Sequence, residues 1–136
     1  MDSSWTAQLS NREIEAVEQW EALPCVLKLS GGYRVQVESL WRLLSDGRLL
    51  LTSRDEGQLF GRASPVRAIP ELAAALVGRR VSSVLASSGT ADLAVVLGNL
   101  TFQAVADSSG YEAWQVEGPR GVIAVGQGGG NVAVFG

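Results

Sequence analysis

Leu27, Leu29, Tyr33, Val35 and Val37 fall on one side of an alternating pattern, and Lys28, Ser30, Arg34, Gln36 and Glu38 fall on the other. A period of two marks a half-buried strand, because successive side chains leave a pleated backbone on opposite faces. The alternation is broken by Gly31-Gly32, a pair able to take the positive φ angles of a two-residue hairpin turn. "LWRLLS-DG-RLLLTS" repeats the device with Asp46-Gly47 at the turn, and that signal overrules the helix-like spacing of Leu40, Leu43 and Leu44. Residues 25–53 therefore read as a meander of about four strands.

The second half has the same grain. "RRVSSVLAS", "DLAVVLG", "LTFQAVA", "AWQVEG", "GVIAVGQ" and "NVAVFG" read as strands, punctuated by Asn99, Gly110, Pro119, Gly121 and the Gly128-Gly129-Gly130 run. Between the halves, "RDEGQLFGRASPVRAIP" is loop-like. "PELAAALVG" then predicts a helix of about two turns, with Pro70 in its first turn and Gly78 as its C-cap. At the N-terminus, Ser10 and Glu13 form a capping-box pattern, and Leu9 and Ile14 stand at hydrophobic-staple positions. Ile14, Val17, Trp20 and Leu23 recur every three residues before Pro24, which predicts a helix over about 10–23. Its outer face would carry Glu13, Glu15, Glu18 and Glu21, opposed only by Arg12.

The expected fold is one α+β domain of 136 residues, mainly antiparallel sheet. It would have about nine or ten short strands, an N-terminal helix and one short middle helix. The two halves also resemble each other loosely. Each has a strand, a variable turn and then a hairpin, Leu40–Leu51 in one and Leu93–Val105 in the other, which raises a duplicated β-unit.

Composition narrows the function classes. The net charge is −3 with pI near 4.9, so the basic footprint of a direct nucleic-acid binder is missing. With no histidine, Ser-His-Asp and Cys-His chemistry are excluded, together with most catalytic zinc sites. The single cysteine, Cys25, cannot form an internal disulfide, and its apolar setting "LPCVLKL" reads as a buried inert thiol. The N-terminal stretch lacks a signal-peptide pattern, and no apolar run is long enough to span a bilayer. A soluble cytoplasmic protein without membrane contact is the expectation.

No chemistry-bearing pattern survives inspection. "VGQGGG" lies between two apolar strands, whereas a phosphate cradle needs a helix directly after its glycines. Glu112 with Glu117, or Asp55 with Glu56, could form a carboxylate pair of the glycosidase type, but sequence spacing fixes neither separation nor burial. Asp55, Glu56 and Gln58 could donate oxygens to a metal, yet the D-x-D-x-D-G pattern is absent. Asp107-Ser108-Ser109-Gly110 reads as a turn closed by its own side chains. Catalytic, cofactor-binding and metal-binding residues are therefore expected to be none. Among the tryptophans (Trp5, Trp20, Trp41, Trp114), Trp114 with Tyr111 reads as a sheet anchor, and alternatively as a recognition hot spot.

Three motifs carry a resemblance. "ESLWRLLSDGRLLLTSRDEGQLFG", "SSGYEAWQVEGPRG" and "QGGGN" resemble a small bacterial family of unassigned function, which shares E-S-x-W-R, D-x-G-Q-x-F-G, Y-E-A-W and Q-G-G-G. The likeness spans about residues 25–136; many relatives carry histidine at the position of Glu56, so histidine-based activity in that loop is not expected here. Proteins that look like this are often immunity-type partners in bacterial toxin systems. The resemblance thus implies a non-catalytic protein that occludes a cognate toxin, with carboxylates facing Lys and Arg and an aromatic as anchor. The expected contact residues are Glu15, Glu18, Glu21, Asp55, Glu56, Gln58, Tyr111, Glu112 and Trp114. A small-ligand module, with a pocket between "DEGQLFG" and "GYEAW", is the alternative. A homodimer paired through the terminal strand "NVAVFG" is also compatible with the pattern.

Overall fold

In the computed structural model, described over residues 4–21 and 24–135, eleven strands form two antiparallel sheets with two helices. The chain runs α1 (Ser4–Ala7), β1 (Ile14–Gln19), β2 (Cys25–Leu29), β3 (Tyr33–Val37), β4 (Leu40–Ser45) and β5 (Arg48–Thr52). It continues through α2 (Ala68–Leu76), β6 (Ser83–Ala86), β7 (Leu93–Leu97), β8 (Leu100–Val105), β9 (Trp114–Gly118), β10 (Gly121–Gly126) and β11 (Val132–Val134). The four-strand meander and the six later strands lie where the alternation predicted them. At the turns, Gly31 and Gly32 both have φ of 83°, and Asp46 and Gly47 have φ of 50° and 78°. The Asp46-Gly47 pair forms the expected two-residue turn, since Ser45 pairs with Arg48, and its left-handed pair matches the twist of the strands; the β2–β3 connection is corrected to three residues, Ser30 with the two glycines, because Leu29 pairs with Tyr33. Gly78, with φ of 90°, closes α2 as expected, and the helix itself starts two residues before Pro70.

The expected helix over 10–23 is corrected: residues 14–19 are strand β1, one strand beyond the ten expected, and the N-terminal helix lies earlier and spans only four residues. A bulge explains the misleading period. The register of β1 against β2 shifts between Ile14 and Ala16, and one extra residue turns an odd spacing onto the same face. Ile14 and Val17 thus both reach the core while standing three apart, as they would on a helix. Ser10 caps nothing at a helix start; its N–H closes the turn after α1 by donating to the Ala7 carbonyl. Leu23, the fourth residue of the supposed stripe, lies outside the described residues.

Strand order shows how the halves interlock. One sheet runs β1-β2-β3-β9-β10-β11; the other, taken from its far edge, runs β6-β7-β8-β4-β5. Each half supplies a three-strand meander, then sends its next hairpin into the sheet of the other half. The helices follow suit, since α2 packs on β1 and α1 on β6. Side chains repeat too. Leu9, Ile14 and Val17 correspond to Leu76, Val81 and Val84, all buried. Trp41 opposes Ala104 across β4 and β8, as Trp114 opposes Val37 across β9 and β3. Even the bulges coincide, with Leu50 the extra residue in β5 and Ile123 the extra residue in β10. The equivalence suggested by sequence is therefore corrected. Leu93–Ala104 corresponds to Cys25–Val37, and the β4–β5 hairpin corresponds to β9–β10. The two hairpins first matched, Leu40–Leu51 and Leu93–Val105, share one sheet through the β4–β8 pairing.

Inward residues of both sheets form one cluster, including Leu27, Val35, Leu43, Val95, Phe102 and Val116. The outer faces differ. On the first sheet, Arg34 donates two hydrogen bonds to Glu117 at 3.1 and 3.0 Å, Gln36 also donates to Glu117, and Lys28 pairs with Glu18 at 3.4 Å. The edges of the second sheet instead leave Leu49 and Leu85 exposed.

Candidate recognition surface

The segment after β5 is built as a pinned knuckle. Thr52 and Asp55 cap each other: the Thr52 N–H donates to the Asp55 carboxylate at 3.0 Å, and the Thr52 hydroxyl accepts from the Arg54 N–H at 3.1 Å. Gly57, with φ of 80°, then turns the chain, and its N–H donates to the Val66 carbonyl while the Val66 N–H donates to Gln58. Val66 is buried, so the return arm is anchored in the core. At the tip, the Arg62 N–H donates to the Leu59 carbonyl at 2.7 Å.

Both flanks are tied to α2. The Glu56 carboxylate accepts the N–H of Ala68, the first helical residue, at 2.8 Å, which satisfies a donor left free at a helix start. Glu71 accepts from Arg62 at 3.0 and 3.4 Å and from the Arg67 N–H at 3.2 Å. These bonds, that from the Arg62 guanidinium foremost, hold the Glu71 carboxyl below its usual range.

What the knuckle displays is apolar. Leu59 is 53% exposed and Phe60 68%. Phe60 also has φ of 47°, a left-handed conformation that costs a bulky residue about 1–3 kcal/mol. A strained, exposed aromatic between Gly57 and Gly61 contributes nothing to the core. Neither Leu59 nor Phe60 was among the expected contacts. The available signal was an apolar pair in a loop, flanked by glycines and with no periodic partner.

The expected contacts divide into three groups. Glu15 and Glu21 are exposed on and just after β1. Glu18 is engaged: it accepts the Trp20 indole N–H at 3.1 Å and pairs with Lys28, and the indole bond in particular keeps its carboxyl below the usual range. Asp55 and Glu56 serve chiefly as caps, with Gln58 exposed beside them. The end of β1 and the knuckle meet where Gln19, Ser53, Glu56 and Ile69 line one crevice of about 60 Å³. Tyr111 and Glu112 lie elsewhere, in a cleft with Glu38, Asp107 and Ser108 and with no residue of 55–61. The Ser108 hydroxyl accepts from the N–H groups of Gly110 and Tyr111, the side-chain-closed turn expected there.

Trp114 is corrected as a contact residue. It is 1% exposed, stacks on Trp5 and donates its indole N–H to the Ala91 carbonyl at 2.6 Å. An inward position on a strand between two others leaves it no path to a partner. The four carboxylates considered for hydrolysis are engaged or set apart: Asp55 and Glu56 accept the Thr52 and Ala68 N–H groups, Glu117 is bound to Arg34, and Glu112 sits in the Tyr111 cleft.

All of these features fall inside residues 5–136, which match a sequence model of a family of unknown function, DUF6188. The chain belongs to that family. No curated protein and no solved structure matches it. Among the described residues, no three His, Cys, Asp or Glu side chains are grouped to hold a metal ion, and no helix is long and apolar enough to cross a membrane.

Proposed function

We propose that this protein is an immunity-type partner that binds a cognate bacterial toxin and neutralises it by occlusion, without chemistry of its own. The observation that carries the reading is the knuckle: Leu59 and Phe60 are held outward on a loop hydrogen-bonded at its neck and tied to α2. A preformed apolar anchor loses little freedom on binding, which is where affinity is gained. Burying the two side chains would contribute about 1.5–3 kcal/mol each.

Charge supports the same reading. Glu15 and Glu21 are exposed on and just after β1, whose last residue, Gln19, shares a crevice with Ser53 and Glu56, and the chain is acidic overall. A nuclease-like toxin has a basic substrate groove, so an acidic inhibitor surface is drawn to it and aligned on it. The encounter takes place in the cytoplasm in this reading, before the toxin reaches its substrate.

Co-purification with the product of the adjacent gene tests the proposal. A stable complex is expected, weakened at least tenfold by Phe60→Ala. No complex, or one indifferent to Phe60, Leu59 and both glutamates, would remove the reading.

A further inference from the structure

The turn between β9 and β10, the start of β3, the turn after α1 and the residue following β11 enclose a cleft of about 430 Å³. That is the size of a small-molecule site. Its apolar wall comes from Tyr33, Val122, Ile123 and Phe135, with Val122 and Phe135 left 39% and 51% exposed.

Among the described residues the charge in the cleft is one-sided: Arg120 lines it, and no Asp or Glu side chain does. Arg120 is exposed and has no carboxylate partner among the described residues. A second guanidinium, that of Arg12, lies 3.7 Å from the centre of the Tyr33 ring and adds positive potential behind that wall. The Tyr33 hydroxyl donates to Gln8 Oε1 at 3.3 Å, fixing the polar end of the ring.

The internal repeat shows that the fold does not require these groups. In the equivalent hairpin of the other sheet, Gly47 stands where Arg120 is, Leu100 where Tyr33 is, and Ala75 where Gln8 is. The same strands, bulge and pairing form there without the cation, the phenol or the amide. Tyr33 packs on the core here as Leu100 does there, so what the shared strands and bulge do not call for is the cation and the polar pair of phenol and amide.

We propose that this cleft binds a small apolar carboxylic acid, its ring or chain among Tyr33, Ile123 and Phe135 and its carboxylate on the Arg120 guanidinium. Arginine matches a carboxylate through two parallel hydrogen bonds, so an acid is distinguished from its uncharged amide.

The test titrates the full-length protein with phenylacetate and, separately, with phenylacetamide, following backbone amide signals. Saturable shifts at Gly118, Arg120 and Gly121 are expected with the acid, and binding about tenfold weaker with the amide. Arg120→Gln should bring the acid down to the level of the amide while leaving the amide unchanged. Phe135→Ala should weaken both. Equal binding of acid and amide, indifference to Arg120→Gln, shifts confined to other residues, or no saturation by about 10 mM would each overturn the proposal.

Discussion

The indole rings of Trp5 and Trp114 stack with their centres 5.8 Å apart at 28°, joining the N-terminal helix to β9, a strand inside the first sheet between β3 and β10. The Trp114 N–H is spent on Ala91, a buried residue with φ of 63°. Removing only that donor should show its worth. Trp114→Phe is expected to cost about 1–3 kcal/mol, because the Ala91 carbonyl is left unsatisfied in a dry site. Trp114→Ala should cost about 3–5 kcal/mol. Urea denaturation of the two variants measures both.

Gly126 faces the same ring. A Cβ there would sit against Nε1, Cε2 and Cδ1 of Trp114, and a rigid indole pinned on both sides cannot yield. Gly126→Ala is expected to destabilise by about 1–3 kcal/mol despite adding one methyl group, whereas Gly47→Ala meets open space and should lose only what its left-handed turn demands. Parallel thermal melts would show the ordering.

Phe60 should separate binding from folding. Its side chain is exposed, so Phe60→Ala is expected to leave stability within about 0.5 kcal/mol while weakening the toxin complex by about 2 kcal/mol. Phe60→Asn, better suited to a positive φ, should be as stable as the parent or slightly more so. Equilibrium unfolding beside affinity measurements distinguishes the two effects.

Glu56 is a cap before it is a contact. Glu56→Ala should cost about 0.5–2 kcal/mol by freeing the Ala68 N–H, and should speed proteolysis of the 53–67 segment.

Acid should act on Glu18 and Glu71. Both carboxyls are held below the ordinary 4.5, chiefly by the Trp20 indole and the Arg62 guanidinium respectively. Each therefore contributes stability above about pH 4.5 that is lost as pH falls through its lower folded value. Glu71→Gln should flatten part of that acid slope. Cys25 behaves oppositely: burial pushes its thiol up to about 12 from 9.0. Stability should hold below pH 9 and fall as pH rises toward 12, since only the unfolded chain ionises easily there. At about pH 8 a thiol reagent should react only on unfolding.

The local pattern was legible because it is short-ranged. Alternation around Gly31-Gly32 and Asp46-Gly47 names the strands and their turns within a dozen residues, and Gly78 marks the end of α2. The candidate site was legible only in outline. The residues quoted as "DEGQLFG" do form an exposed loop, but the carboxylates that drew attention there cap Thr52 and Ala68, and the displayed groups are Leu59 and Phe60. Which of several exposed side chains is already engaged depends on neighbours far along the chain.

The strand-rich character, the hairpin turns, the middle helix and the lack of histidine chemistry all follow from residue type and near-neighbour geometry, so they can be read along the chain. The bulged strand that carries Ile14 and Val17, the pairing of β3 with β9 and of β4 with β8, and the inward position of Trp114 emerge only on folding. Those outcomes depend on which sheet edge is open to receive each hairpin. That is a matter of packing between distant segments, and no local period encodes it.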